Sequence, residues 1–145
     1  TEGVVVAFAS IHGNTAQTAR KFAEILKAKG AENVIVHDLS RCDMSKAVED
    51  AFRYSRLVVA AASYDSDVFP PMHDFLHHLA IKNYSKRRIG IIENGSWAPS
   101  AGKAMRKIID TFKGVTVADT MVTIVSTLEP TDMPALERLA EEVLA

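Results

Sequence analysis

Val4-Val5-Val6-Ala7-Phe8, then Ser10-Ile11-His12-Gly13-Asn14-Thr15, is the opening that decides the architecture. Consecutive apolar residues without alternation make a strand covered on both faces, as in a parallel sheet between helices. The loop that follows is small, hydroxylated or conformationally permissive. Beyond it Ala19, Phe22, Ala23 and Leu26 fall at helical spacing and form one apolar face, while Lys21, Glu24 and Lys27 supply charge elsewhere. Gly30 stops this helix where a left-handed residue is expected. A buried strand turning tightly into an amphipathic helix is the unit of a doubly wound α/β domain.

The unit recurs along the chain. Leu57-Val58-Val59-Ala60-Ala61, Ile89-Gly90-Ile91-Ile92 and Val122-Thr123-Ile124-Val125 read as further buried strands, and the more polar Asn33–His37 as an edge strand. Helical stripes lie between them at Met44/Ala47/Val48/Ala51, Met72/Phe75/Leu76/Leu79 and Met105/Ile108/Ile109/Phe112, with a last one at Leu136/Leu139/Ala140/Val143. Gly114 is expected to stop the fourth helix. Pro70-Pro71 opens the third and Pro134 sits early in the fifth, where a missing N–H is tolerated. Strands alternating with helices through right-handed crossovers predict one domain over residues 1–145. It is a three-layer α/β/α sandwich around a five-stranded parallel sheet of order 2-1-3-4-5. Ligands on such sheets bind beyond the carboxyl ends of the strands, here loops 10–15, 63–69 and 94–102.

Composition narrows the function. Lys and Arg number 17 against 18 Asp and Glu, for a formal net charge of −1, and hydrophobic residues make up 48%. A nucleic-acid binder or a polybasic membrane-surface protein would carry an excess of cations. No apolar run approaches the ~20 residues of a membrane span, and Thr1-Glu2-Gly3-Val4 has neither the basic region nor the cleavage pattern of a signal peptide. One cysteine, Cys42, precludes an intrachain disulfide and fits a reducing, cytoplasmic setting.

Three phosphate chemistries are excluded by motif. The chain has no G-x-x-x-x-G-K-[ST], no G-x-G-x-x-G after the first strand, and no carboxylates ending strands 1 and 3 to hold Mg²⁺. What remains in Ser10, Ile11, His12, Gly13, Asn14 and Thr15 is a set of amides and hydroxyls at a helix start, an anion cradle without Lys or Arg. The alternative is a tight turn in which Asn14 or Thr15 caps the helix. The second loop carries Ser63, Tyr64, Asp65, Ser66 and Asp67; the third carries Asn94, Gly95, Ser96 and Trp97. Tyr64 and Trp97 can stack on a flat heterocycle whose edges meet Ser63, Asp65, Asn94 and Ser96, or they can plug the loops. A phosphate at one end and a flat heterocycle at the other describe FMN.

These loops resemble the flavodoxin-like FMN domain of flavodiiron proteins (A-type flavoproteins). Ser10–Thr15 is similar to its [TS]-x-[TS]-G-x-T loop, with His12 where a hydroxyl residue is commoner. Residues 61–71 resemble S-P-T-x-N-x-x-x-F-P-P, with Ala62, Ser63 and Asp65 in place of proline, threonine and asparagine. Glu93-Asn94-Gly95-Ser96-Trp97-Ala98-Pro99 matches E-N-G-S-W-A-P. The resemblance implies a domain cut from a longer flavodiiron-type chain, since no H-x-E-x-D-H ligand run is present. It implies FMN as cofactor and electrons arriving from rubredoxin or a flavin reductase. They would leave to a diiron domain that reduces oxygen or nitric oxide; a homodimer is compatible with this.

On this reading the chain itself supplies no catalytic group and no metal set. Without cations in the first two loops, and with Asp65 and Asp67 nearby, the flavin is expected to have a low reduction potential. Two rival functions use the same sheet: an interaction module without flavin, and an NAD(P)H-dependent quinone reductase. His73 and His77 share metal-ligand spacing but flank a greasy stripe and read as a solvated edge. Cys42 reads as inert. Lys82, Lys86, Arg87 and Arg88 read as a solvated basic loop, with docking of an acidic redox partner as the minority view.

Overall fold

Each continuous apolar run becomes a strand and each stripe a helix. A computed structural model describes residues 2–10, 13–41, 43–64, 67–68, 70–94, 101–125 and 128–145, with backbone alone for residues 63, 64, 67 and 68. In chain order the elements are β1 (Val4–Ala9), α1 (Asn14–Ala28), β2 (Val34–Asp38), α2 (Met44–Arg53), β3 (Arg56–Tyr64), β4 (Asp67–Val68), α3 (Pro70–Ile81), β5 (Arg88–Asn94), α4 (Ala101–Ile109), β6 (Thr116–Ile124) and α5 (Met133–Leu144). The main sheet runs β2-β1-β3-β5-β6, every neighbouring pair parallel. With the short β4 set aside, this is the expected 2-1-3-4-5 order.

Side-chain alternation along the buried strands feeds two cores. Val5, Ala7, Leu57, Val59, Ile89 and Ile91 face α2, α3 and α4. Val4, Val6, Phe8, Val58, Ala60 and Ile92 face α1 and α5. The stripe residues read from the sequence fill those layers: Phe22, Leu26, Phe75, Leu76, Met105, Leu136 and Leu139 are all fully buried. Burial of each such side chain contributes about 1.5–3 kcal/mol, so the layers rather than any single contact hold the sheet.

The structure corrects the sequence reading in four places. The second loop is not wholly loop: β3 continues to Tyr64 and pairs antiparallel with β4, Ser63 against Val68 and Tyr64 against Asp67. β6 begins at Thr116, ahead of the expected Val122, because an outermost strand alternates exposed and buried residues and so lacks a continuous apolar signature. Gly114 adopts φ +68°, yet α4 has already ended at Ile109, so this glycine turns the chain into β6 instead of stopping the helix. Lastly, Arg87 and Arg88 are not part of a solvated loop. Arg87 donates from Nε to the Tyr54 carbonyl (3.0 Å) and from Nη2 to the Phe52 carbonyl (2.7 Å), covering the end of α2. Arg88 and Arg56 donate to the Glu142 and Val143 carbonyls at the end of α5. Helix carboxyl ends carry the negative end of the dipole and unsatisfied carbonyls, and guanidinium groups answer both. Lys82 and Lys86 are exposed as expected, as are His73 and His77, whose rings stack with centroids 6.3 Å apart. Cys42 lies outside the described residues.

Two polar contacts tie the layers. His37 of β2 meets Asp50 of α2 at 2.7 Å, both nearly out of solvent. Tyr84, 1% exposed, donates its hydroxyl to the Ala51 carbonyl at 3.1 Å and packs edge-on against Phe52 and Phe112. Burial pushes the Tyr84 phenol well above the ordinary tyrosine range, and the Arg87 cation pulls it partly back. A group whose folded value is raised stabilises fully below its unfolded value, near 10 for tyrosine, and loses that contribution as pH climbs through the folded value. Urea midpoints should therefore fall between pH 9 and 11, less steeply in Tyr84→Phe, which should also lose about 1 kcal/mol at neutral pH. Parallel pH profiles for the two proteins would refute this.

Candidate functional site

Parallel pairing sets the site before any side chain is considered. Ala9 of β1 stands beside Ala61 of β3, and Ala61 beside Glu93 of β5, so the chain leaves all three strands along one rim. The sheet reverses direction of growth between β1 and β3, the position where open α/β sheets take ligands. Ser10, Ala62 and Asn94 are the first residues past that row.

The β1 exit holds the clearest chemistry. Gly13 takes φ +87°, a left-handed conformation that glycine adopts without strain, and lets α1 start at Asn14. A Cβ built at Gly13 would meet no described atom within 4 Å. Neither Asn14 nor Thr15 caps the helix. Both lie inside it, no side chain among the described residues takes up the first-turn amides, and the first turn has no acidic residue. The Gly13 N–H donates to Ser10 Oγ at 2.9 Å, which leaves the hydroxyl proton of Ser10 for a second partner. Thr15 is 2% exposed, and among the described residues its hydroxyl has no hydrogen-bond partner. Thr18, one turn on, shows the usual alternative by donating to the Asn14 carbonyl at 3.1 Å. A buried hydroxyl without a partner, beside the positive end of a helix dipole, suits an anion with several acceptor oxygens. The residues present fit a phosphate.

The third exit is built differently. Glu93 is 8% exposed, and its Oε2 accepts from the Gly102 N–H at 2.5 Å, near the start of α4. Its Oε1 accepts from Thr123 Oγ1 of β6 at 2.9 Å. The positive end of α4 is thus met by the protein's own carboxylate, whereas no side chain among the described residues meets that of α1. Gly102 exists for this contact: a Cβ there would overlap Glu93 Oε2 and Met121 Sδ. Asn94, 7% exposed, follows on the same strand and is itself engaged in an interaction.

Of the residues singled out from sequence, the structure brings Ser10, Gly13, Asn14, Thr15 and Asn94 to one rim, and the backbone of Ser63 and Tyr64 with them. Ile11, His12, Asp65, Gly95, Ser96 and Trp97 lie outside the described residues. Glu93 had no role in the sequence reading. Its signal was present, a carboxylate closing a wholly apolar strand, but the partners are at the far end of the loop and on another strand. Among the described residues no group of three or more His, Cys, Asp or Glu could hold a metal, and no helix is long and apolar enough to cross a membrane.

Comparison with known proteins places the fold. No protein-family model matches the chain, and no curated protein matches it by sequence. Among solved structures it is similar to the rubredoxin oxygen:oxidoreductase of the anaerobe Desulfovibrio gigas, with a TM-score of 0.91 and 17% identity over 99% of this chain and 35% of that one. It is similar to a flavodoxin of Streptococcus pneumoniae TIGR4 (TM-score 0.83, 25% identity, 97% of each chain). An archaeal flavodoxin matches with a TM-score of 0.83 at 17% identity, over 97% of this chain and 95% of that one. The fold is flavodoxin-like. The chain spans about a third of the D. gigas protein and nearly the whole of the two flavodoxins.

The two glycines of the rim make a paired test. Gly102→Ala should lower stability by about 1–3 kcal/mol through overpacking against Glu93 and Met121. Gly13→Ala meets no described atom but an unfavourable backbone angle and should cost about 1–2 kcal/mol. Urea denaturation measures both, and wild-type stability for Gly102→Ala would overturn the packing described for α4.

Proposed function

We propose that this chain is an FMN-binding electron-transfer domain of flavodoxin type. The observation that carries the reading is the helix start at Gly13, met by no side chain among the described residues, with the buried Thr15 hydroxyl, also without a described partner, behind it, at the switch point of a flavodoxin-like sheet. Bound FMN would supply the redox chemistry, taking up and releasing electrons at its ring. The protein's part is binding and tuning. Ser10, Gly13, Asn14 and Thr15, with Ile11 and His12 between them, hold the phosphate through amides and hydroxyls. Ser63, Tyr64, Asp65, Asn94, Gly95, Ser96 and Trp97 flank the ring.

The finer reading is that residues 1–145 are one domain of a longer flavodiiron-type chain and work in the cytoplasm. Electrons would come from rubredoxin or a flavin reductase and pass to a diiron site that reduces oxygen or nitric oxide. Support comes from the E-N-G-S-W-A-P stretch at residues 93–99 and from the fold match to about a third of the D. gigas protein. The match to self-standing flavodoxins supports the broader reading alone.

The cradle is tested by comparing FMN with riboflavin, which lacks the phosphate. Purified protein should turn yellow with FMN, quench its fluorescence, and bind riboflavin far more weakly. Gly13→Asp, which sets a carboxylate in the cradle, should weaken FMN by roughly tenfold or more and leave riboflavin unchanged. Equal affinity for the two flavins in the wild type would sink the proposal. The cation-poor second loop gives a separate expectation: Asp65→Asn should raise the reduction potential of bound FMN, as measured by equilibrium redox titration.

A further inference from the structure

The outer face of α3 carries two imidazoles that the flavin reading leaves unused. His73 and His77 are separated by one helical turn, so they share a face of the helix. Both are exposed, and their rings lie 6.3 Å apart between centres and within 13° of parallel. Among the described residues neither ring has a hydrogen-bond or ion-pair partner. Their nitrogens can take a ligand from solution without giving up a contact.

The helix beneath them is a rigid mount. Met72, Phe75, Leu76 and Leu79 are fully buried on its inner side, which fixes the spacing of positions 73 and 77 before any ligand arrives. The chemistry of the pair selects the ligand. Imidazole nitrogen suits Ni²⁺, Cu²⁺ and Zn²⁺, whereas Mg²⁺ and Ca²⁺ demand oxygen. Two imidazoles whose nitrogens each sit about 2.0–2.1 Å from one such ion have ring centres roughly 4.5–5.5 Å apart. Closing from 6.3 Å takes only a side-chain rotation, which exposed and unbonded rings make at little cost. The first turn of a helix disfavours a cation, and the exposed Asp74 carboxylate, next to His73 in the chain, offsets this. His78 is turned toward α2, where it lines a surface groove with Val48 and Phe52. Among the described residues no third His, Cys, Asp or Glu completes the set.

We propose that His73 and His77 form a two-point chelate for one divalent ion of the Ni²⁺, Cu²⁺ and Zn²⁺ class, with water at its other positions. The site is independent of the FMN reading. An ion held across one turn staples α3 and stabilises the folded chain by mass action.

Calorimetric titration of tag-free protein as purified should show one Ni²⁺ per chain; Zn²⁺ should compete for it and Mg²⁺ should not. Saturating Ni²⁺ should raise the urea midpoint. His73→Ala and His77→Ala each leave a single imidazole and should weaken Ni²⁺ roughly a hundredfold, because the second contact is no longer held at high local concentration. Either change should abolish the Ni²⁺-dependent rise in midpoint. Alanine is the better helix former, so both variants should fold without metal at least as well as the wild type, as far-UV circular dichroism checks. His78→Ala should keep wild-type Ni²⁺ affinity within about threefold, since adjacent helix positions do not share a face. A wild type that takes up no Ni²⁺ would overturn the site. So would unchanged affinity in the double variant His73→Ala/His77→Ala, or a loss confined to His78→Ala.

Discussion

Parallel pairing is the constraint on which the rest of this structure depends. Once Ala9, Ala61 and Glu93 stand in one row, three chain exits and the starts of α1 and α4 must share one pole. Helix dipoles then sort themselves. The pole with the starts of α1 and α4 is partially positive, and the pole where α2 and α5 end is partially negative. The molecule answers the negative pole with guanidinium groups, from Arg87 onto α2 and from Arg56 and Arg88 onto α5. At the positive pole Glu93 meets α4 and Asp43 caps α2, while no side chain among the described residues meets α1. The chemistry proposed here occupies that position.

Much of the fold was legible because a sheet buried on both faces writes itself into sequence as unbroken apolar runs. Val4–Phe8, Leu57–Ala61 and Ile89–Ile92 are such runs, and all are buried. The same logic failed at β6, whose outer position lets Thr116, Asp119 and Thr123 face outward and blurs the strand. It failed also at β4, where two residues held by pairing to Ser63 and Tyr64 leave no periodicity to read. The loops of the site were legible by topology and composition. The switch point depends only on strand order, and small hydroxylated residues before a helix suggest an anion.

What the sequence could not convey was partnership. Glu93 and Thr123 are thirty residues apart, and Glu93 and Gly102 are nine apart. His37 and Asp50 come together only because β2 and α2 pack. Arg87 looked like one more surface cation in a basic stretch; its donor contacts to the Tyr54 and Phe52 carbonyls appear only when α2 ends beside it. Side chains that act within one element could be placed in advance, and those that bridge elements could not.

The outer strand has one further feature, in the alignment of β5 with β6. Ile89 pairs with Val117 but Ile91 with Met121, so two steps of one strand face four of the other and β6 bulges. At the bulge Glu142 of α5 accepts from the Thr120 N–H (2.7 Å) and from its hydroxyl (2.5 Å), and the latter bond holds its carboxyl below the ordinary glutamate range. An unprotected sheet margin is an invitation to another molecule to zip on by its main chain. Here the ladder is kinked at the irregularity, and the Thr120 amide is taken by a helix carboxylate rather than by a strand. A margin so interrupted offers a second chain fewer aligned main-chain groups to pair with along β6.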